Sequence, residues 1–484
     1  MRFIDLLDGD DTDVTYGANL AETDITGLTC DSRRVRPGFL FAAIPGSAAD
    51  GRRFIADAVS RGAVAVLAPP GTNADVSTLH DGNPRRRYAL MAARFHGRQP
   101  ATIAAVTGTN GKTSVVSFAR QIWTTLGHQA ASIGTLGISA PQLKTDQGLT
   151  TPDSADLHLT LATLAGQGVE TLAMEASSHG LAQYRLDGVD VSLAAFTNLS
   201  HDHLDYHETM AAYLRAKARL FGEILKGDGA AVLNADDAAY GELSDIVGAR
   251  GCRRISYGRA GEDIRLIDVR PEAEGQRLKL RVLAEHHDIL LPLAGYFQVE
   301  NALCALGLVI AGGATPGDAV SALQTLQGVP GRLQRIAETA TGGVVYVDYA
   351  HTPDALANVL AALRPHTAER LAVVFGCGGD RDRGKRPEMG RIACDLADAV
   401  IVTDDNPRGE DAATIRTEIL AACPSAREIG DRAQAIATAI GGLGSGDVLV
   451  VAGKGHETGQ IVGDRVLAFD DGEEIRRAVK ELAG

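Results

Sequence analysis

No two of the six cysteines, Cys30, Cys252, Cys304, Cys377, Cys394 and Cys423, stand in CxxC spacing. Neither a zinc motif nor a redox motif is therefore readable. Thiols this scattered in a chain of 484 residues fit reduced cysteines and a cytoplasmic setting. No apolar run approaches the ~20 residues that span a bilayer, and mean hydropathy is near zero. Met1-Arg2-Phe3-Ile4-Asp5 leads into an acidic stretch at Asp8, Asp10, Asp11 and Asp13. A secretory signal does not have that form, so none is expected. Positive charge is also scarce. With 47 Lys and Arg against 61 Asp and Glu, the net charge is −14. That disfavours general binding to nucleic acid or to an anionic membrane, but leaves room for a local basic pocket. Short-period repeats and low-complexity segments are missing too.

What is present is a globular composition, 45% hydrophobic and 22% charged, enough for a packed core without staples. Three blocks are expected, at residues 1–98, 99–329 and 330–484. The first holds a short strand signal at Phe39-Leu40-Phe41-Ala42-Ala43-Ile44 and a helical stretch from about Arg53 to Ser60. The polar run 80–88 reads as a loop before the helix leading onward. The second block carries short apolar runs at 103–106, 172–174, 193–196 and 230–233, with helical patterns between several of them. The third repeats the rhythm at 344–347, 372–375, 400–402 and 448–451. Strands alternating with helices indicate an α/β chain with largely parallel sheets, whose ligands sit at the carboxyl-end loops of the strands.

Thr107-Gly108-Thr109-Asn110-Gly111-Lys112-Thr113 follows the first strand of the second block and opens a helix. Its glycines let backbone N–H groups turn toward phosphate oxygens, Lys112 can reach the β- and γ-phosphates, and the Thr113 hydroxyl can ligate Mg²⁺. Ser114 continues the helix N-terminus, which favours an anion. Val106 stands where the usual pattern has another glycine. Glu175, at the end of a later strand, is a natural Mg²⁺ ligand. The run Thr197-Asn198-Leu199-Ser200-His201-Asp202-His203-Leu204-Asp205-Tyr206-His207 is either a transition-metal site or a polar loop with one functional histidine. Lys217 lies in an amphipathic helix, and by pattern alone it is a solvated surface lysine.

These motifs, with Asp348-Tyr349-Ala350-His351-Thr352-Pro353-Asp354, occur in an order and spacing that resembles the Mur ligases over nearly the whole chain. The resemblance implies three domains: an N-terminal one for a UDP moiety, a central P-loop ATPase and a Rossmann-like C-terminal one for an amino acid. It implies ATP and Mg²⁺. Gly108, Thr109, Asn110, Gly111, Lys112, Thr113 and Ser114 would hold the phosphates, and Asn301, Arg332 and Asp348 would contact the nucleotide. Thr113, Glu175, His203 and Lys217 would serve the metal, Lys217 as a carbamate. Lys112, Lys217 and His203 would be catalytic. Ser32 and the 47–51 turn would meet the uridine side, and Thr150, Thr151, Ser177, Gln183 and Arg185 the pyrophosphate, sugar and peptide. Gln298, Gln334 and Ala176 depart from the family's usual Asn, Glu and Val.

The C-terminal loops resemble the branch of the family that extends UDP-MurNAc-L-Ala-D-Glu. Asp405-Asn406-Pro407-Arg408 looks like the signature of its meso-diaminopimelate enzymes, with Arg381, Gly453 and Glu457 completing the pocket. An arginine fork suits the far carboxylate of diaminopimelate, which lysine lacks. A monomer acting on small molecules, without nucleic acid or membrane, is the expected form. The competing readings are a lysine-adding or folylpolyglutamate synthase-like ligase, and a P-loop switch that makes no product.

Overall fold

A computed structural model of the chain describes residues 1–7, 15–46, 49–145, 150–202, 204–272 and 274–483. Its backbone divides into two compact units, Met1–Arg265 with Leu303–Ala322, and Leu266–Ala302 with Leu323–Gly484.

In the first unit, the strands Gly27–Thr29, Phe39–Ala42, Ala63–Ala68 and Ser77–His80 pair in chain order, all parallel. Parallel neighbours need crossovers, and the helix Ile55–Ser60 lies in one of them. Phe3, Leu6, Leu40, Leu67, Leu79, Tyr88 and Met91 form the core beneath this sheet. The run 80–88 is a loop only in part. His80 still pairs in the sheet, and the helix Pro84–His96 begins inside the run. The Asn83 side chain accepts from Arg86 N at 3.2 Å, capping the helix, and Pro84 occupies its first turn. There the missing proline N–H costs nothing, so residues that read as a turn serve as a helix start.

Seven strands of a larger sheet lie wholly in the same unit, in the order Arg253–Gly258, Ala230–Asn234, Val191–Phe196, Thr102–Thr107, Thr171–Glu175, Ala130–Gly134, Gly137–Ser139, and among these only the last pair is antiparallel. Four of these strands contain the apolar runs of the second block. Thr171–Glu175 and Ala230–Asn234 are buried at every position, as strands covered on both faces must be. The chain leaves the central strand Thr102–Thr107 toward one side and later returns on the other. Its carboxyl end therefore faces the crevice in which open α/β sheets bind ligands.

The second unit carries a six-stranded sheet in the order Gln334–Glu338, Val344–Asp348, Val448–Ala452, Leu371–Phe375, Ala399–Val402, Arg427–Glu428, antiparallel only at its first edge. The four apolar runs of the third block are its interior strands. A hairpin, Gly459–Val462 with Arg465–Ala468, follows the central strand. Arg432 and Asp471, whose side chains are both 0% exposed, pair through two 2.7 Å hydrogen bonds. Arg432 also donates to Ala452 O at 3.0 Å, fixing the end of that strand. Among the described residues no helix is long and apolar enough to cross a membrane.

Candidate active site

The phosphate loop turns at Gly108, whose φ of +145° is closed to other residues and where a Cβ would overlap the Thr197 hydroxyl. Val106, in place of the usual glycine, still lies in the strand, paired with Glu175 and Ala195, so the turn does not need a glycine there. The segment Thr197–Ser200 straps the loop down. Thr197 Oγ1 donates to Asn110 O (2.6 Å), Asn110 N donates to Asn198 Oδ1 (3.0 Å), and Ser200 N donates to Thr109 Oγ1 (3.0 Å). The helix Lys112–Thr125 starts at this loop, with Thr113 and Ser114 buried in its first turn.

Lys112 Nζ donates to Gly108 O (2.9 Å) and Thr109 O (2.8 Å). Lys217 Nζ donates to the same Gly108 oxygen at 2.7 Å. The expectation of a solvated Lys217 is corrected here, because the residue is 1% exposed. It lies on the helix Met210–Arg219, which passes into a π-helical turn at Leu220–Ile224. Tyr213, Leu220 and Phe221, at helical spacing on either side, are buried with it. The lysine thus occupies a place in an apolar stripe, and that signal was available in the sequence. Its ammonium sits 4.1 Å from the centre of the Tyr213 ring, whose hydroxyl donates to Thr109 Oγ1 at 3.3 Å. Burial, reinforced by the nearby Lys112 cation and opposed by Asp202, holds its pKa well below the usual lysine value.

Glu175, 1% exposed, ends its strand beside the loop. Its carboxylate accepts from Thr113 Oγ1 (3.0 Å), Thr135 N (2.9 Å) and Thr135 Oγ1 (3.3 Å). Thr135 escaped the sequence reading. Thr150 reaches this group through Thr135 Oγ1 (3.1 Å). Thr151 and Ser177 share a 3.0 Å hydrogen bond, and Arg185 Nη1 donates to Thr151 O (2.7 Å) while its Nη2 donates to Gln183 Oε1 (2.7 Å). Of the histidine cluster, His203 lies outside the described residues. His207 is buried, with its ring 4.8 Å from Tyr206, 5.1 Å from Tyr213 and 5.5 Å from His179. Among the described residues no group of three or more His, Cys, Asp or Glu converges as metal ligands.

A cavity of about 570 Å³ opens in the same unit, and it brings Ser32, Gln183 and Arg185 together with Arg33, Arg85 and Tyr88. Residues 47 and 48 of the expected turn lie outside the described residues, and Gly46, Ala49 and Gly51 line the cavity. Asp153, also missed from sequence, joins its walls. It caps the helix Ser154–Gly166 and accepts from Tyr88 OH (3.0 Å) and Cys30 Sγ (3.4 Å). Desolvation, then Asp153, push the Cys30 thiol up to about 12.

In the second unit, Asp348 is buried and accepts from Leu333 N (2.6 Å) and Ala350 N (2.7 Å). Burial raises its pKa to about 6, against the pull of the Arg332 cation. Arg332 stacks 4.9 Å from the Tyr349 ring centre. Gln298, the departure from Asn, links two expected nucleotide residues. It accepts from Asn301 Nδ2 (3.2 Å) and donates to Arg332 O (3.0 Å). Gln334 accepts from Gly331 N at 3.1 Å.

The loop Asp405-Asn406-Pro407-Arg408 meets the loop Gly453–Glu457 in the same unit. Asn406 Nδ2 donates to Glu457 Oε2 (2.9 Å). Gly453 has φ +115°, and a Cβ there would stand 2.7 Å from Asp405 Oδ2. Arg408 takes a left-handed φ of +51°, held on both sides by the hairpin. Its N donates to Ile461 O (3.1 Å), and its O accepts from Gly463 N (2.8 Å). Its guanidinium donates to Gly379 O at 2.8 Å. Arg381 is exposed in the adjoining loop, where Asp380 also has positive φ.

Three family profiles match the chain. They are described as "Mur ligase family, catalytic domain" (residues 24–96), "Mur ligase middle domain" (106–309) and "Mur ligase, glutamate ligase domain" (331–455). A protein of Bradyrhizobium diazoefficiens named UDP-N-acetylmuramoyl-L-alanyl-D-glutamate--2,6-diaminopimelate ligase is 54% identical over 467 residues, 95% of this chain and 96% of that one. A protein of Caulobacter vibrioides with the same name is 53% identical over 464 residues, covering 94% and 96%. A solved structure of a ligase of that name superposes with a TM-score of 0.74 at 35% identity, covering 96% of each chain.

Proposed function

The chain belongs to the Mur ligase family, and we propose that it joins meso-diaminopimelate to the D-Glu of UDP-MurNAc-L-Ala-D-Glu with ATP, in peptidoglycan synthesis. The observation that carries the phosphoryl chemistry is the meeting of two lysines, Lys112 and Lys217, at one carbonyl of the phosphate loop. The Lys112 cation and the loop N–H groups form a site that favours polyanions, with the buried Lys217 amine held beside them. The similarity to proteins named for diaminopimelate, and the Arg408 loop, support the choice of amino acid.

The reaction has two steps. A γ-carboxylate oxygen of D-Glu attacks the γ-phosphorus of ATP, the bond to the β-phosphate oxygen breaks, and ADP leaves an acyl phosphate. The amine of diaminopimelate then attacks the acyl carbon and loses a proton, and phosphate departs with the carboxylate oxygen. Lys112 and the loop amides hold the phosphates, and this fixed positive potential stabilises charge on the transferring group without reorganising. Gln183, Arg185 and Ser32 orient the precursor in the 570 Å³ cavity.

Thr113 and Glu175 offer a hydroxyl and a carboxylate 3.0 Å apart, hard oxygen donors that fit Mg²⁺. With His203 and Lys217 they are the proposed metal set. Mg²⁺ bound there neutralises phosphate charge. A protonated Lys217 cannot ligate a cation. The lowered pKa favours the free amine, which adds to CO₂, losing a proton, to give a carbamate with two anionic-type oxygens. The remaining parts of the proposal are three domains divided near residues 98 and 329, a monomer, and a cytoplasmic home.

The test is isotopic. With ¹⁸O in both γ-carboxylate oxygens of D-Glu, each released phosphate is expected to carry one ¹⁸O. Unlabelled phosphate would remove the acyl-phosphate route.

A further inference from the structure

Lys454 has no role in the function proposed above, yet it is 0% exposed beside the amino-acid loop. Its ammonium donates to Asn406 Oδ1 (2.9 Å) and Gly459 O (2.7 Å), and lies 3.7 Å from Glu457 Oε2. These contacts settle which way the Asn406 amide points. Oδ1 accepts from both Lys454 Nζ and Ile461 N (2.9 Å), so Nδ2 must turn to Glu457, where it donates to Oε2 at 2.9 Å. Glu457 therefore has one carboxylate oxygen committed, and a substrate ammonium would be met by the other. The same ammonium ties down the start of the hairpin that clamps the Arg408 backbone.

Charge adds a second effect. Around this loop stand the cations Arg381, Arg408 and Lys454 and the anions Asp405 and Glu457. Arg432 and Asp471 behind them cancel as a pair. Asp380, whose carboxylate accepts from Gly409 N at 3.0 Å, balances the group, and without Lys454 the group would carry one net negative charge. The far end of diaminopimelate is a zwitterion, whereas that of lysine is a bare cation. A buried positive charge penalises the bare cation and favours a ligand that brings a carboxylate. Burial lowers the Lys454 pKa, while Asp405 and Glu457 act against that.

We propose that Lys454 is a specificity-determining positioning residue. It orients Asn406 and Glu457 and biases the distal amino-acid pocket toward a carboxylate-bearing substrate and against a bare ammonium. The proposal rests on the diaminopimelate reading and makes its own claims. Two probes separate the charges: L-2-aminopimelate keeps the distal carboxylate alone, and L-lysine keeps the distal ammonium alone. As competitors of diaminopimelate incorporation by the wild-type protein, aminopimelate is expected to bind roughly tenfold or more tighter than lysine. In Lys454→Met the KM for diaminopimelate is expected to rise by roughly tenfold to a hundredfold, and the gap between the two probes to narrow. The KM values for ATP and for the UDP-precursor should not move, which mere loosening of the fold would not spare. Lys454→Gln keeps a donor for Gly459 without the charge and should narrow the gap in the same way. Tighter lysine than aminopimelate on the wild type would overturn the proposal, whether or not a variant folds. So would an unchanged ratio in a folded variant. A wild type that never turns over diaminopimelate would instead remove the parent reading.

Discussion

Replacing Lys217 with methionine should abolish turnover and leave the protein at least as stable. Methionine keeps an unbranched stem in the apolar stripe between Tyr213, Leu220 and Phe221. The lost hydrogen bond to Gly108 O is worth ~1.5–3 kcal/mol, and the cation–π contact with Tyr213 ~1–2 kcal/mol. Gly108 O is not orphaned, because Lys112 still donates to it at 2.9 Å. Against those losses stands the cost of burying this amine beside a second cation, several kcal/mol whether it keeps its charge without a counter-ion or gives up its proton. The balance falls on the stabilising side by ~0–2 kcal/mol, and each kcal/mol moves Tm by ~2–4 °C. Scanning calorimetry in carbonate-free buffer reads this directly. Phosphate release should fall by ~10²-fold or more, the scale for losing one preorganised electrostatic group. A variant that melts several degrees early, or that keeps a large share of wild-type turnover, would refute the reasoning that this lysine is held for function against stability.

Two further outcomes follow from the second unit. Asp348, raised to about 6, binds its proton more tightly folded than unfolded. Its contribution to stability is therefore fully present below the ordinary value near 4 and is lost as pH rises through 6. Relative to Asp348→Asn, the wild type should gain roughly 2 kcal/mol between pH 7 and pH 4 in urea unfolding, and a flat difference would contradict the assigned burial effect. Arg432→Met should leave Asp471 as a buried, unpaired charge and cost ~3–5 kcal/mol, with most of the loss recovered when Asp471 is also made apolar. Urea midpoints of the single and double variants check this.

The strands were legible because buried parallel strands are short apolar runs and little else. Thr102–Thr107, Thr171–Glu175 and Val448–Ala452 carry few polar residues to confuse the pattern. The phosphate loop was legible because its chemistry is local, a few residues between one strand and one helix. Lys217 was misread because a charged residue in a helix is normally solvated, and only its neighbours at i−4, i+3 and i+4 reveal the buried face. Lys454, Thr135 and Asp153 were not legible at all. Each acts through partners far away in sequence, as Asp153 does with Tyr88 at a separation of 65 residues. The 80–88 run shows the opposite difficulty, since Asn-Pro serves equally as a turn and as a helix start.

The most direct measurement is phosphate release from ATP and Mg²⁺ with UDP-MurNAc-L-Ala-D-Glu, adding meso-diaminopimelate or L-lysine in parallel. Turnover that depends on diaminopimelate, with lysine far weaker, is the expected result. Turnover with lysine and none with diaminopimelate would contradict the role given to the Arg408 loop, and release indifferent to either amino acid would contradict the ligase itself.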